Sequence, residues 1–147
     1  MANELMNVTN YLESAKQGDI LYRSFDVVSK EDKIKLFKVM NGDSKKIKEC
    51  VNSIIEISDI YCDVAVLKRK QADGTETEDK APRVVIIDKD GVTYTAISKG
   101  VFNSVRQIVG IFGDCCEWTE PVKVKVILKS RTRDGQTYNI LTLDVIG

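Results

Sequence analysis

The sequence predicts a mainly β fold, a five-stranded Greek-key barrel of the OB type with one α-helix between strands 3 and 4. Three observations predict it. Period-two alternation runs through residues 54–70 and 122–131, one strong helical stripe lies between Val101 and Phe112, and Asp-Gly pairs at 90–91 and 134–135 supply hairpin turns. The order strand, strand, strand, helix, strand, strand is that of a barrel whose helix plugs one end, leaving a face and two hairpin loops open to ligand.

Residues 32–40 (DKIKLFKVM) set Ile34, Leu36 and Met40 against Lys33, Lys35, Phe37 and Val39, the alternation of a first strand. Residues 41–43 form a turn, and 44–51 suit a loop or a short helical turn. Residues 54–70 (IIEISDIYCDVAVLKRK) are rich in β-branched side chains and alternate Ile60, Cys62, Val64 and Val66 with Tyr61, Asp63, Ala65 and Leu67, a long second strand. Residues 71–82 combine Asp73-Gly74, a proline and a charge cluster and read as an exposed hairpin loop. Residues 83–88 and 93–98 flank Asp90-Gly91 as two arms of a small hairpin or as one bent third strand.

Ser98 is placed to cap a helix in which Val101, Phe102, Val105, Ile108, Val109 and Phe112 recur at helical spacing, with Gly113 as its stop. The stripe is the face that docks on the core. After Pro121, Val122, Val124, Val126 and Leu128 alternate with Lys123, Lys125, Ile127 and Lys129, and Asp134-Gly135 returns the chain through residues 137–146. Residues 1–24 form an N-terminal extension to a domain spanning 25–147. The apolar residues of the extension, Leu5, Val8, Tyr11, Leu12 and then Ile20, Leu21 and Tyr22, can pack on the barrel, extend a strand or join protomers.

A chain of 147 residues, 43% hydrophobic and 30% charged, suits one globular domain with an adequate core. No apolar run approaches the roughly 20 residues that cross a bilayer, and the N-terminus lacks signal-peptide order, so a cytoplasmic protein without a membrane partner is expected. Of the four cysteines, adjacent Cys115 and Cys116 are badly placed to bridge each other, and reduced thiols are expected. There is no His and no C-x2-C pair. The usual zinc ligands, the commonest general base and the Ser-His and Cys-His pairs are therefore missing, and the reading nominates no catalytic residue, no metal and no cofactor. Twenty-two basic and 22 acidic residues cancel, which argues against a blanket electrostatic binder. The charges are segregated nonetheless: Lys123, Lys125, Lys129, Arg131 and Arg133 lie between Glu120 and Asp134 with no acid among them, whereas Asp73, Glu76, Glu78 and Asp79 crowd one stretch.

The segments DGVTYTAISKGVFNSVRQIVGIF and EPVKVKVILKSRTRDGQTYNILTLDV, within residues 90–146, resemble the replication single-stranded-DNA-binding proteins of small protein-primed phages of Gram-positive bacteria. The shared pattern is a D-G turn, a Tyr-x-Ala-Ile-Ser-Lys junction into a helix, a K-V-K-V strand and a Gly-containing hairpin; residues 25–70 carry it only thinly. The resemblance implies an OB-fold, non-catalytic protein that coats displaced single strands in the host cytoplasm with little sequence preference. Single-stranded DNA is the implied partner; RNA, a second copy of the chain and replication proteins are further candidates. The chain departs from the pattern in its extension and its acidic loop 71–80. It ends LTLDVIG, so recruitment through an acidic tail is not expected.

Sequence-tolerant binding of single strands needs cations for phosphates and aromatic faces for bases. The expected nucleic-acid-binding set is Lys35, Phe37, Tyr61, Lys68, Arg69, Lys123, Lys125, Lys129, Arg131, Arg133 and Tyr138, all on the parity opposite the apolar sets or at strand ends. The three rings point outward if the apolar sets fill the barrel, or else pack under a loop or the extension. Tyr94 has no clear register, and Trp118 is expected to cover the helix end or a barrel opening. The lysine row also suits a protected strand edge. A rival reading is a protein–protein module, such as an oligomeric phage adaptor or inhibitor on the same barrel, which zero net charge favours.

Overall fold

The long period-two run becomes the spine of the sheet. A computed structural model, describing Lys16 and residues 18–147, contains β1 (Ile20–Arg23), α1 (Lys30–Asn41), β2 (Lys45–Lys46), β3 (Ile54–Lys70), β4 (Glu76–Asp88), β5 (Thr93–Ile97), α2 (Lys99–Phe112), β6 (Val122–Arg133) and β7 (Gln136–Ile146). Strands follow the order β2-β5-β4-β3-β6-β7. β1 and β6 share the second edge of β3, with Tyr22 opposite Cys62 and Val122 opposite Ile57. The sheet curls into an open half-barrel, mainly β as expected. It has seven strands and not five, and the expected helix stands between β5 and β6. β1 and β2 are too short to show a period. β1 nevertheless draws part of the expected extension into the sheet and buries Leu21 and Tyr22; Leu5, Val8, Tyr11 and Leu12 lie outside the described residues.

The expected first strand, residues 32–40, is the helix α1. Its alternating residues also satisfy a period of 3.6, and local chemistry decides between the two. Ser29 accepts from the Asp32 amide at 3.1 Å while Asp32 Oδ2 accepts from the Ser29 amide at 3.2 Å, a reciprocal cap that a strand has no use for. Leu36, Val39 and Met40, at helical spacing, then pack on Tyr61, Val85 and Ile87.

That contact makes β3 and β4 two-faced. A bulge between Ile57 and Asp59 lets Ile55 and Ile57 share one face with Ile60, Cys62 and Val64 despite the odd spacing. This face joins Val84, Ile86, Val124, Val126 and the stripe of α2 in the main core. The expected loop 71–82 is shorter than read, because Glu76–Asp88 continues the hairpin: Glu76 stands opposite Lys70 and Glu78 opposite Lys68, so opposite charges face across the ladder. Pro82 is tolerated because its partner Val64 spends its own N–H and carbonyl on Asp19 and Gly18. Residues 83–97 take the hairpin alternative.

Ser98 and Gly113 bound α2 as expected, and Gly113 has φ +83°. Trp118 Nε1 donates to the carbonyls of Phe112 and Gly113, covering the helix end. α2 lies along the outer edge of β7, where the Leu143 amide donates to Ser104 Oγ at 3.1 Å. The helix approaches so closely that a Cβ on Gly100 would be driven into the Leu141 carbonyl oxygen and stand 2.9 Å from Ile140 Cγ2. Backbone cannot yield as a side-chain tip can. Gly100→Ala is expected to cost about 1–3 kcal/mol in urea unfolding; an unchanged midpoint would mean that helix and edge are not in contact.

Candidate nucleic-acid interface

The β6–β7 hairpin turns through Asp134 (φ +54°) and Gly135 (φ +78°), two left-handed residues that match the strand twist. The β3 register with β6 stops at Ile54 opposite Lys125, so the rest of β6–β7 continues as a two-stranded ribbon. On one face stand Lys123, Lys125, Lys129, Arg131 and Arg133, with Tyr138 directly opposite Arg131 and Ile140 opposite Lys129. The other face carries Val124 and Val126 into the core and then Leu128, Ser130 and Thr132. Tyr138 is 44% exposed. Among the described residues Lys125, Lys129, Arg131 and Arg133 form no ion pair, while Lys123 reaches Glu56 only at 3.8 Å. Glu56 is held chiefly by Lys89 at 2.6 Å, whose ammonium keeps its carboxyl below the ordinary range. Of the cations in no ion pair, Lys129, Arg131 and Arg133 are exposed, while Lys125 is half-buried opposite Asp144; unpaired exposed cations hold exchangeable counterions, which is what a phosphate backbone displaces.

The other expected residues are placed elsewhere. Lys35 is on α1, where its ammonium binds Asp59 at 2.9 Å and sits 4.4 Å over the Phe25 ring, tying the helix to the sheet. Phe37 is also on α1, 67% exposed, and shares a face with Lys33 one turn earlier but not with Lys35, because the period is 3.6 and not 2. Tyr61 is fully buried and does not point outward: α1 covers that face of β3, and the phenol donates to Asp63 at 2.9 Å. Burial and the Asp63 carboxylate push its hydroxyl far above the ordinary tyrosine range. Lys68 and Arg69 lie at the far end of β3, with about 35 Å of extended strand between Lys68 and Ile57. They face acids there, Lys68 across from Glu78 and Arg69 Nε bonded to Asp79 at 3.0 Å. Six of the eleven candidates thus share one ribbon face.

Sequence reasoning passed over Lys45, Lys46 and Lys48. β2 pairs in parallel with β5, Lys46 opposite Thr95, which brings this lysine-rich stretch to the sheet edge beside α2. A two-residue strand leaves no periodic signal; only the charge run KKIK was visible. The four cysteines are free. Burial pushes the Cys115 thiol up to about 12 and that of Cys62 higher still, so neither presents a thiolate nucleophile. Among the described residues no group of His, Cys, Asp or Glu side chains is arranged to hold a metal ion, and no helix is long and apolar enough to cross a membrane.

A family model described as phage single-stranded DNA-binding protein matches residues 15–145. The likeness read at residues 90–146 therefore extends over nearly the whole chain, β1 and α1 included. No curated protein and no solved structure matches.

Proposed function

The chain belongs to the phage single-stranded DNA-binding protein family, and we propose that it coats single-stranded DNA during phage replication, without catalysis and with little sequence preference, in the cytoplasm of the host. The observation that carries this reading is the ribbon face on which Lys129, Arg131 and Arg133, in no ion pair among the described residues, flank the half-exposed ring of Tyr138, with Lys125 farther along the same face opposite Asp144. Cations supply a sequence-independent hold on phosphates, and a ring stacks on any base. The reading takes β3 to β7 as the five strands of an OB-type Greek-key barrel with α2 between the third and fourth of them. In its support, β5-β4-β3-β6-β7 is the neighbour order and one long hairpin ribbon projects on each side.

Fluorescence anisotropy with labelled oligo-dT, the matching RNA and a duplex tests the proposal. Preference for single-stranded DNA over the duplex is expected. Equal weak binding to all three, or no binding at low salt, would contradict it.

A further inference from the structure

A groove of about 350 Å³ runs along the seam between β5 and β7, walled by Lys46, Lys48, Arg83, Ile97, Ser98 and Leu141, with no acidic residue in its lining. Lys46 and Lys48 are exposed and form no ion pair among the described residues. Arg83 is held in place by Asp63 and the Met40 carbonyl, yet keeps 26% of its side chain exposed. α2 starts at this wall: Ser98 is its cap, so the amides of Lys99 and Gly100 lack intrahelical acceptors and the positive end of the helix dipole adds to the field of the lysines. Ile97, 48% exposed, offers an apolar surface beside these charges.

The groove borders the β7 edge of the ribbon, on the side of Leu128 and Leu141 and not that of the cations. Ile140, opposite Lys129 on the cationic face, abuts Gly100, two residues from Ser98, and Leu141 is itself part of the wall. We infer that the seam groove is a second binding subsite for the sugar-phosphate backbone of a single strand, entered after the strand leaves the ribbon across Ile140 and the start of α2. Lys46 and Lys48 take successive phosphates there, and Ile97 lies against a sugar or base. This subsite rests on the single-strand reading above. It also gives a role to residues 45–48, which that reading leaves unused.

The test compares wild type, Lys46→Gln/Lys48→Gln, Ile97→Glu and a control, Lys30→Gln/Arg106→Gln, which removes the same charge from exposed sites outside groove and ribbon. Each is titrated into a labelled oligo-dT long enough to span both surfaces across a salt series, with thermal melts alongside. Loss of two phosphate contacts should flatten the log–log salt slope by about 1.4 and weaken binding roughly 25-fold at 0.1 M salt. Ile97→Glu should weaken binding with both lysines in place, and the control should match wild type. If wild type fails to bind, the single-strand reading falls. If wild type binds while both groove variants keep its affinity and slope, or the control falls equally, the subsite is wrong.

Discussion

Asp63→Ala is expected to cost about 3–5 kcal/mol of folding stability, the largest effect of any single substitution considered. Asp63 is 2% exposed and accepts three hydrogen bonds, from Arg83 Nε at 2.8 Å, Arg83 Nη2 at 2.6 Å and the Tyr61 hydroxyl at 2.9 Å. Its loss strands a largely buried guanidinium and a fully buried phenol. Arg83 Nη1 also donates to the Met40 carbonyl at 3.1 Å, so the same ion pair fixes the C-terminal end of α1 on the sheet. The carboxylate bonding holds Arg83 firmly in its charged form, raising an already high pKa. At this chain length the loss corresponds to a Tm lower by about 10 °C or more. Replacing both partners, Asp63→Ala with Arg83→Met, should recover much of it, since an apolar pair leaves no buried charge. A single-variant loss below about 1 kcal/mol would mean that α1 is not anchored this way.

Tyr138→Ala should weaken oligo-dT binding by roughly 5- to 150-fold, the equivalent of 1–3 kcal/mol for one stacked base. The ring is 44% exposed and stands opposite Arg131 where no third strand among the described residues pairs with β6 or β7, so stability should hardly move. Tyr138→Phe keeps the π-face and should retain most of the affinity, which separates stacking from hydrogen bonding by the hydroxyl. Unchanged affinity in Tyr138→Ala, or a Phe variant as weak as Ala, would remove the ring from the interface.

Legibility followed the length of the periodic signal and the presence of turn chemistry. β3, α2 and the β6–β7 hairpin were readable to within a residue or two, because each carries several full periods and Ser98, Gly113 and Asp134-Gly135 mark the ends. Residues 32–40 were not, because Ile34, Leu36 and Met40 alternate while Leu36, Val39 and Met40 fall at helical spacing in the same short run, and the cap at Ser29 lies outside the alternating stretch. From that one exchange follow the misplacement of Phe37 with Lys35 and the burial of Tyr61, whose parity was right but whose outer face is covered by a helix that sequence had made a strand. Lys68 and Arg69 looked available only while residues 76–82 read as loop; once these pair, acids stand opposite. The cation row of β6 needed no long-range information, since alternation alone puts Lys123, Lys125, Lys129, Arg131 and Arg133 on one face.

The salt dependence of oligo-dT binding by wild type and Lys129→Gln/Arg131→Gln tests the central claim most directly. On an oligo-dT short enough to stay on the ribbon, where about four cations meet phosphates, log affinity should fall with log salt at a slope near −3, and the double variant should lose about 1.4 of that slope at unchanged Tm. A wild-type slope near zero, or a double variant with the wild-type slope, would contradict single-strand binding on the β6–β7 face.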